Sequence, residues 1–233
     1  MAHSGFRRGP DAPNTEAVED YAKALHSLAA RSEGTVTTSA LAERLGVSPG
    51  SVTAMLKRMV ELGLVEHEPY RGALLTAEGE KVALEVIRHH RLLESFLSDV
   101  LGMPWDRVHD EAEVLEHYIS EELEALIAKA LGNPDSDPHG DPIPSVELAM
   151  PSDSTVSLAD LTEGAKGSFA RVSDSDPDML RFLDERGIRP GAEIELVRRD
   201  PFDGPVYVAV GGSEHVLADR LARRMRIEPS AVA

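Results

Sequence analysis

Residues 37–65 read TTSALAERLGVSPGSVTAMLKRMVELGLV. The pattern predicts a short helix from Ser39 to Leu45, opened by a Thr or Ser cap and stopped by Gly46. A second helix then starts with Ser48 as its cap and Pro49 in its first position, runs to Leu62 and ends at Gly63. Helix, glycine-containing turn and longer helix make a helix-turn-helix. Just downstream, LVEHEPYRGALLT (64–76) alternates about a turn at Arg71–Gly72, as a hairpin does, and this adds a wing to the motif. Just upstream, EAVEDYAKALHSLAA (16–30) sets Val18, Tyr21, Leu25 and Leu28 on one face of an amphipathic helix.

The second helix and its cap carry Ser48, Pro49, Ser51, Thr53, Lys57 and Arg58, with Ser39 on the helix before and Arg71 on the wing. Hydroxyls and cations at these places suit phosphates and base edges, so these eight residues are the candidate DNA-reading set. The competing reading is a helical hairpin with a merely polar face.

Composition narrows the classes. A chain of 233 residues, 42% hydrophobic, can bury a core and divide into one to three domains. It contains no cysteine, which excludes disulfide frameworks, thiolate metal sites and cysteine nucleophiles. The opening MAHSGFRRGPDAPNTEA has no apolar run, so residues 1–14 are expected to be a disordered arm rather than a signal peptide. No segment reaches the roughly 18 apolar residues of a membrane helix. The expected location is the cytoplasm, with no membrane partner and no small-molecule substrate.

The formal charge of −17 argues against indiscriminate binding to nucleic acid, but it is unevenly spread. Residues 1–79 carry 8 basic and 10 acidic side chains, a net of −2. Residues 80–145 carry 5 and 15, a net of −10, and residues 146–233 carry 11 and 16, a net of −5. Carboxylates gathered among so few cations are most simply held by a bound cation.

The acidic middle is expected to form two long helices, 77–100 and about 104–131, with GMPW (102–105) between them. His90 and Glu94 stand at i and i+4 on the first. His109, Glu113, Glu116 and His117 share a face of the second, in VHDEAEVLEH (108–117), with Val114 and Leu115 toward the core. His89, Asp110 and Glu111 fall off these faces and are expected in solvent. A single His–Glu pair reads as a surface ion pair. Two such faces on consecutive helices read as a divalent-cation site, whose oxygen and imidazole ligands favour manganese or ferrous iron over copper(I) or thiolate zinc.

NPDSDPHGDPIPSVELAMPSDSTVS (133–157) reads as linker, with His139 and Asp141 solvated. Beyond it, strand-like runs with one helix at PDMLRFLDERG (177–187) suggest a barrel of five or so strands, its basic LADRLARRMRI segment serving solubility.

Taken in order, RHHRLLE (88–94), VHDEAEVLEH, HGDPIP (139–144) and RFLDERGIRPGAEIEL (181–196), behind a winged helix, resemble the diphtheria toxin repressor family of metal-dependent transcriptional regulators. The match is to its long form, with a C-terminal domain similar to an SH3 or FeoA barrel. The resemblance implies a mainly α chain with a small all-β domain: a winged helix-turn-helix at 15–79, a helical metal-binding and dimerisation domain at 80–144, a linker at 145–160 and an SH3-like barrel at 161–233.

The resemblance also implies two ions per subunit. An ancillary site would use His90, Glu94 and His109 with a ligand from the barrel, where Asp176 and Met179 stand nearest the family's Glu and Gln. A primary site would use Asp20, Glu113, Glu116 and His117. The iron-responsive branch has Met at position 20 and Cys at position 113. Asp20 and Glu113 resemble the manganese-responsive branch, and two carboxylates in place of sulfur harden the site toward Mn²⁺, with Fe²⁺ as the alternative. The short manganese regulators have a further carboxylate one turn after their aspartate. Lys23 stands there in this chain, which disfavours a closely spaced metal pair.

The function implied is a manganese-dependent repressor that binds palindromic double-stranded operator DNA as a homodimer, each ion lowering the acidic charge by two. An iron-dependent repressor of the same family is the alternative. A helical di-metal carboxylate enzyme is a third reading, but the chain lacks Glu-x-x-His repeated on two helices. A metal-independent DNA-binding or scaffold protein leaves the acidic histidine cluster without a role.

Overall fold

The computed structural model describes residues 15–30, 34–68 and 71–230. The arm expected at 1–14, and Tyr70 of the hairpin turn, lie outside the described residues. The described chain gathers into two compact units.

The first unit runs up to residue 90 and takes in 115–125 and 144–150. It contains α1 (Glu16–Ala29), α2 (Thr38–Leu45), α3 (Pro49–Glu61), β1 (Val65–Glu68), β2 (Gly72–Leu75) and the greater part of α4 (Ala77–Ser95). The caps are those the sequence predicts. Thr37 Oγ1 accepts from Ala40 N at 3.2 Å, and Ser48 Oγ accepts from Ser51 N at 3.1 Å. Gly46 closes α2 with φ +65°, a left-handed conformation that costs glycine little.

Val18 and Leu25 of α1 pack in one core with Leu41, Val52, Leu56 and Met59. The helix before the motif and the two helices of the motif therefore settle together. The wing pairs antiparallel from Val65↔Leu75 to Glu68↔Gly72. Gly72, at φ +104°, is required there, because a Cβ would lie 2.7 Å from the Val36 carbonyl oxygen.

After α4, a π-helical turn (Phe96–Val100) leads to α5 (Val108–Leu115) and α6 (Glu121–Ala130), where one continuous helix was expected over 104–131. The helix stops because residues 116–118 form a turn, with Tyr118 N donating to Leu115 O, and Ser120 recaps the chain by accepting from Leu123 N at 3.2 Å. Glu116 and His117 thus stand beyond a helix end, not on its face. Val114 and Leu115, expected toward the core, are instead 62% and 37% exposed.

The second unit, which comprises 91–114, 126–143 and everything from 151 onward, carries the β-domain. Strands β3 (Val156–Ser157), β4 (Lys166–Val172), β5 (Glu193–Arg199), β6 (Val206–Val210), β7 (Ser213–Leu217) and β8 (Met225–Pro229) form one antiparallel sheet in the order β3-β8-β4-β5-β6-β7. Its six strands agree with the five or so expected. Helices α7 (Pro177–Asp184) and α8 (Asp219–Ala222) interrupt the strands. Phe169, Leu180, Leu183, Ile194, Val208 and Ile227 fill its core together with Trp105.

The HGDPIP segment lies against β4. A Cβ on Gly140, at φ +87°, would fall 1.9 Å from the Ala170 carbonyl oxygen, and Val172 N donates to His139 O at 3.0 Å. No helix among the described residues is long and apolar enough to cross a membrane.

Candidate metal centres and DNA-reading face

The first unit brings together Asp20 of α1 with Glu116 and His117 of the turn after α5, their ligand atoms all within 4.8 Å of one another. His117 Nε2 lies 3.1 Å from Asp20 Oδ1 and 3.7 Å from Glu116 Oε1. Its Nδ1 lies 2.6 Å from Glu19 Oε2. A carboxylate only accepts, so Nδ1–H donates and Nε2 is the nitrogen turned to Asp20 and Glu116. An imidazole whose far nitrogen is held by a buried carboxylate is the arrangement metal-binding histidines favour. Glu19 was not singled out from the sequence, although its place one residue before Asp20 was visible.

Burial opposes a proton on His117, but the hydrogen bonds to Asp20 and Glu19 and the field of Glu116 outweigh it and push its pKa up to about 10. Glu116 is fully buried and is held by Lys23, whose Nζ lies 2.8 and 2.9 Å from its two oxygens, and by His90 Nδ1. The donors are oxygen and imidazole nitrogen with no sulfur. Three protein ligands within reach of one point fit a divalent cation of the manganese or ferrous kind.

The second unit holds another cluster. His109 Nδ1 lies 2.9 Å from Asp174 Oδ2 and 3.3 Å from Glu94 Oε1, and its Nε2 is 3.7 Å from Glu113 Oε1. Burial works against the imidazolium, but Asp174 and Glu94 push the His109 pKa up to about 10. Burial would raise the Asp174 carboxyl, yet its bond with His109 brings it below the ordinary value.

Glu94 also joins Asp137 and His139, all three buried, with ligand atoms within 4.8 Å. His139 stacks on Trp105 and donates from Nε2 to the Trp105 carbonyl at 2.7 Å. That leaves its buried Nδ1 facing Glu94 Oε2 at 3.6 Å with no hydrogen-bond partner, a nitrogen suited to a cation. Burial opposes protonation of His139, and Glu94 and Asp137 outweigh it, pushing its pKa up to about 9. Burial, with the fields of Glu94 and Asp141, holds the Asp137 carboxyl well above its usual range.

Several expectations change. His139 is not solvated but among the most buried residues; the proline-rich composition around it hid the fact that a turn can fold onto a strand. His89 is likewise buried, between the Glu116 carbonyl oxygen (3.2 Å) and Glu124 Oε2 (3.1 Å), whereas Asp110 and Glu111 are exposed as expected. Asp176 and Met179 do not meet the cluster. Asp176 caps α7, accepting from Met179 N at 3.3 Å, and Met179 is buried in the core of the sheet, so the carboxylate beside His109 is Asp174. Asp137, Asp174 and Glu19 are the site residues that sequence reasoning missed.

On the reader, Ser39, Ser48, Pro49, Ser51, Thr53, Lys57, Arg58 and Arg71 are all exposed, while Val52, Leu56 and Met59 bury the opposite side of α3. An exposed polar helix backed by α1, which itself carries a carboxylate of the first cluster, fits the class of metal-dependent DNA-binding regulators. Comparison with known proteins gives the family. Residues 14–73 match the iron dependent repressor N-terminal DNA binding domain, 76–145 the iron dependent repressor metal binding and dimerisation domain, and 156–229 the FeoA domain.

The chain is 34% identical over 226 residues to the iron-dependent repressor IdeR of Mycobacterium tuberculosis, covering 91% of this chain and 97% of that one. It is 33% identical over 224 residues to the diphtheria toxin repressor of Corynebacterium diphtheriae, covering 91% and 97%. Among solved structures, a manganese-dependent transcriptional repressor in complex with manganese superposes with a TM-score of 0.85 at 38% identity, over 91% of this chain and all of the other. The manganese regulator SloR superposes with a TM-score of 0.72 at 30% identity, covering 91% and 98%. The chain belongs to the diphtheria toxin repressor family of metal-dependent transcriptional repressors.

Proposed function

We propose that the chain is a manganese-dependent repressor that acts in the cytoplasm, binds palindromic operator DNA as a metal-loaded homodimer and controls manganese uptake genes. One ion is held by Asp20, Glu116 and His117. A second is held by Glu94, His109 and Asp174, with Asp137 and His139 alongside. The observation that carries the choice of metal is the first cluster's donor set, two carboxylates and one imidazole with no sulfur.

Asp20 supplies the link to DNA. It sits on α1, whose Val18 and Leu25 pack in the same core as Leu41, Val52 and Leu56 of the reader, so fixing Asp20 to Glu116 and His117 fixes the platform under α3. Two readers related by a two-fold axis then match an inverted repeat. Metal and DNA binding are coupled reciprocally, by about 1–3 kcal/mol for a typical linked pair. Iron dependence is the second reading, favoured by the names of the curated relatives.

The test is selection of sheared host DNA by the purified protein with Mn²⁺, with Fe²⁺ under anaerobic conditions, and with chelator. Enrichment of one inverted repeat with manganese alone supports the proposal. Equal enrichment with iron removes Asp20 as a selectivity residue, and enrichment that survives chelation removes metal dependence altogether.

A further inference from the structure

Lys23 follows Asp20 by three residues on α1, so the two side chains leave neighbouring positions on one face. Its Nζ lies 2.8 and 2.9 Å from the two oxygens of Glu116 and 3.4 Å from His90 Nδ1. Glu116 is fully buried and the Lys23 side chain is only 16% exposed, so this is not a solvated surface pair. An ammonium in reach of both oxygens of a buried carboxylate takes the place a small cation would take, beside a His90 Nδ1–H that donates to the same carboxylate.

We propose that Lys23 is a resident cation of the first cluster. Its ammonium fills the place beside Glu116 and His90 that a second, closely spaced ion would need. The cluster therefore accepts one ion, on the side of Glu116 that faces Asp20 and His117, and accepts it against a fixed positive charge. A carboxylate offers about four lone-pair positions, so Glu116 can serve Lys23, His90 and one ion together. Without metal, Lys23 spares Glu116 the cost of an uncompensated buried charge. With metal, repulsion between the ammonium and the dication raises the concentration at which the site fills. Lys23 thus sets both the number of ions and the threshold. This inference rests on reading Asp20, Glu116 and His117 as a metal site, and the test separates the two.

Mn²⁺ bound per subunit of the full chain is counted by native mass spectrometry, and electron paramagnetic resonance reports whether any two ions are spin-coupled. In the wild-type chain the ions are uncoupled, and Asp20→Asn loses one. Lys23→Glu, which exchanges the cation for a ligand, gains one ion and shows a coupled pair. Lys23→Gln removes the charge without adding a ligand; it keeps the wild-type count and binds the first-cluster ion about 10- to 1000-fold more tightly, the range over which one nearby charge moves an ionic equilibrium. A coupled pair in the wild-type chain, or unchanged affinity in Lys23→Gln, overturns the role of Lys23 and leaves the site standing. If Lys23→Glu does not fold, Lys23→Gln decides. Asp20→Asn that loses no ion overturns both.

Discussion

Replacing Glu19 by Ala tests the first cluster without touching a residue that would bind the ion directly. Glu19 and His117 are both buried, and Glu19 Oε2 holds His117 Nδ1–H at 2.6 Å. Removing the carboxylate frees the imidazole to rotate or change tautomer and makes Nε2 a poorer donor. Loss of such a supporting partner lowers metal affinity by about 10- to 100-fold, or about 1.4–2.8 kcal/mol. The same carboxylate also helps to hold a proton on His117, whose pKa of about 10 means that an ion entering at neutral pH must expel it.

Glu19→Ala therefore weakens both the ion and its competitor. While the pH is below the pKa of His117 in both proteins, the two losses partly cancel. Once the pH passes the variant's lower value, the variant stops gaining affinity while the wild-type chain continues to gain, so its deficit widens. Calorimetric Mn²⁺ titrations at pH 6.5, 7.5 and 8.5, in buffers of different ionisation enthalpy, read affinity and proton release together. The wild-type chain is expected to release a proton from His117 throughout this range, and the variant progressively less toward pH 8.5. Glu19→Gln, which keeps an acceptor but not the charge, falls between them. Affinity and proton release that both match the wild-type chain across the range would refute the assignment of Glu19 and the role of His117 with it.

Two further outcomes follow from the same geometry. His109 and His117 have pKa values of about 10 and His139 of about 9, all raised from 6.5, so protonation of each stabilises the metal-free fold. That contribution is complete below pH 6.5 and is lost as the pH rises through 9 to 10; the thermal midpoint of chelated protein should fall over this interval, and a rising midpoint would contradict these charge states. On the reader, Lys57→Ala and Arg58→Ala should each flatten the dependence of log K on log salt for operator binding by about one unit if the cation meets a phosphate, and an unchanged slope places that residue off the backbone.

The reader was legible because its signals are local. Ser48, Pro49 and Gly46 act within a turn or two of chain, and the structure places each where its backbone preference puts it. The first cluster was half legible. Asp20, Glu116 and His117 could be named, but a helical period carried through 104–131 hid the break at Leu115, which turns Glu116 and His117 out of the helix. The second cluster was the least legible, because it depends on which carboxylate of VSDSDPDM (172–179) faces His109. Asp176 is taken by its own helix as a cap and Asp174 is not, a distinction of two residues that periodicity does not resolve. His139 was hidden for a related reason: proline-rich composition marks a turn, and only the fold shows that the turn lies against β4.

The charge count takes a different meaning once the partners are known. Read with neutral histidines, the chain carries −17, and metal would enter as bare neutralisation of two charges per ion. With pKa values raised to about 10, 10 and 9, His109, His117 and His139 hold their protons at pH 7, so each adds a positive charge that the formal count leaves out. Each of those protons already lies among the carboxylates that would bind an ion. A dication that displaces the His117 proton changes the local charge by one, not two, and Lys23 has already offset part of Glu116. Relief of repulsion is therefore a poor switch at this site, because proton and ammonium supply most of it without metal. What a proton cannot supply is multiplicity: the one on Nε2 serves Asp20 at 3.1 Å while Glu116 stays at 3.7 Å. An ion can draw both carboxylates and the imidazole to a single point. On the proposed function, the response to metal then resides in the positional constraint that coordination by Asp20, Glu116 and His117 would place on α1, so that the path of α1 under the reader, rather than net charge, is the quantity that metal would control.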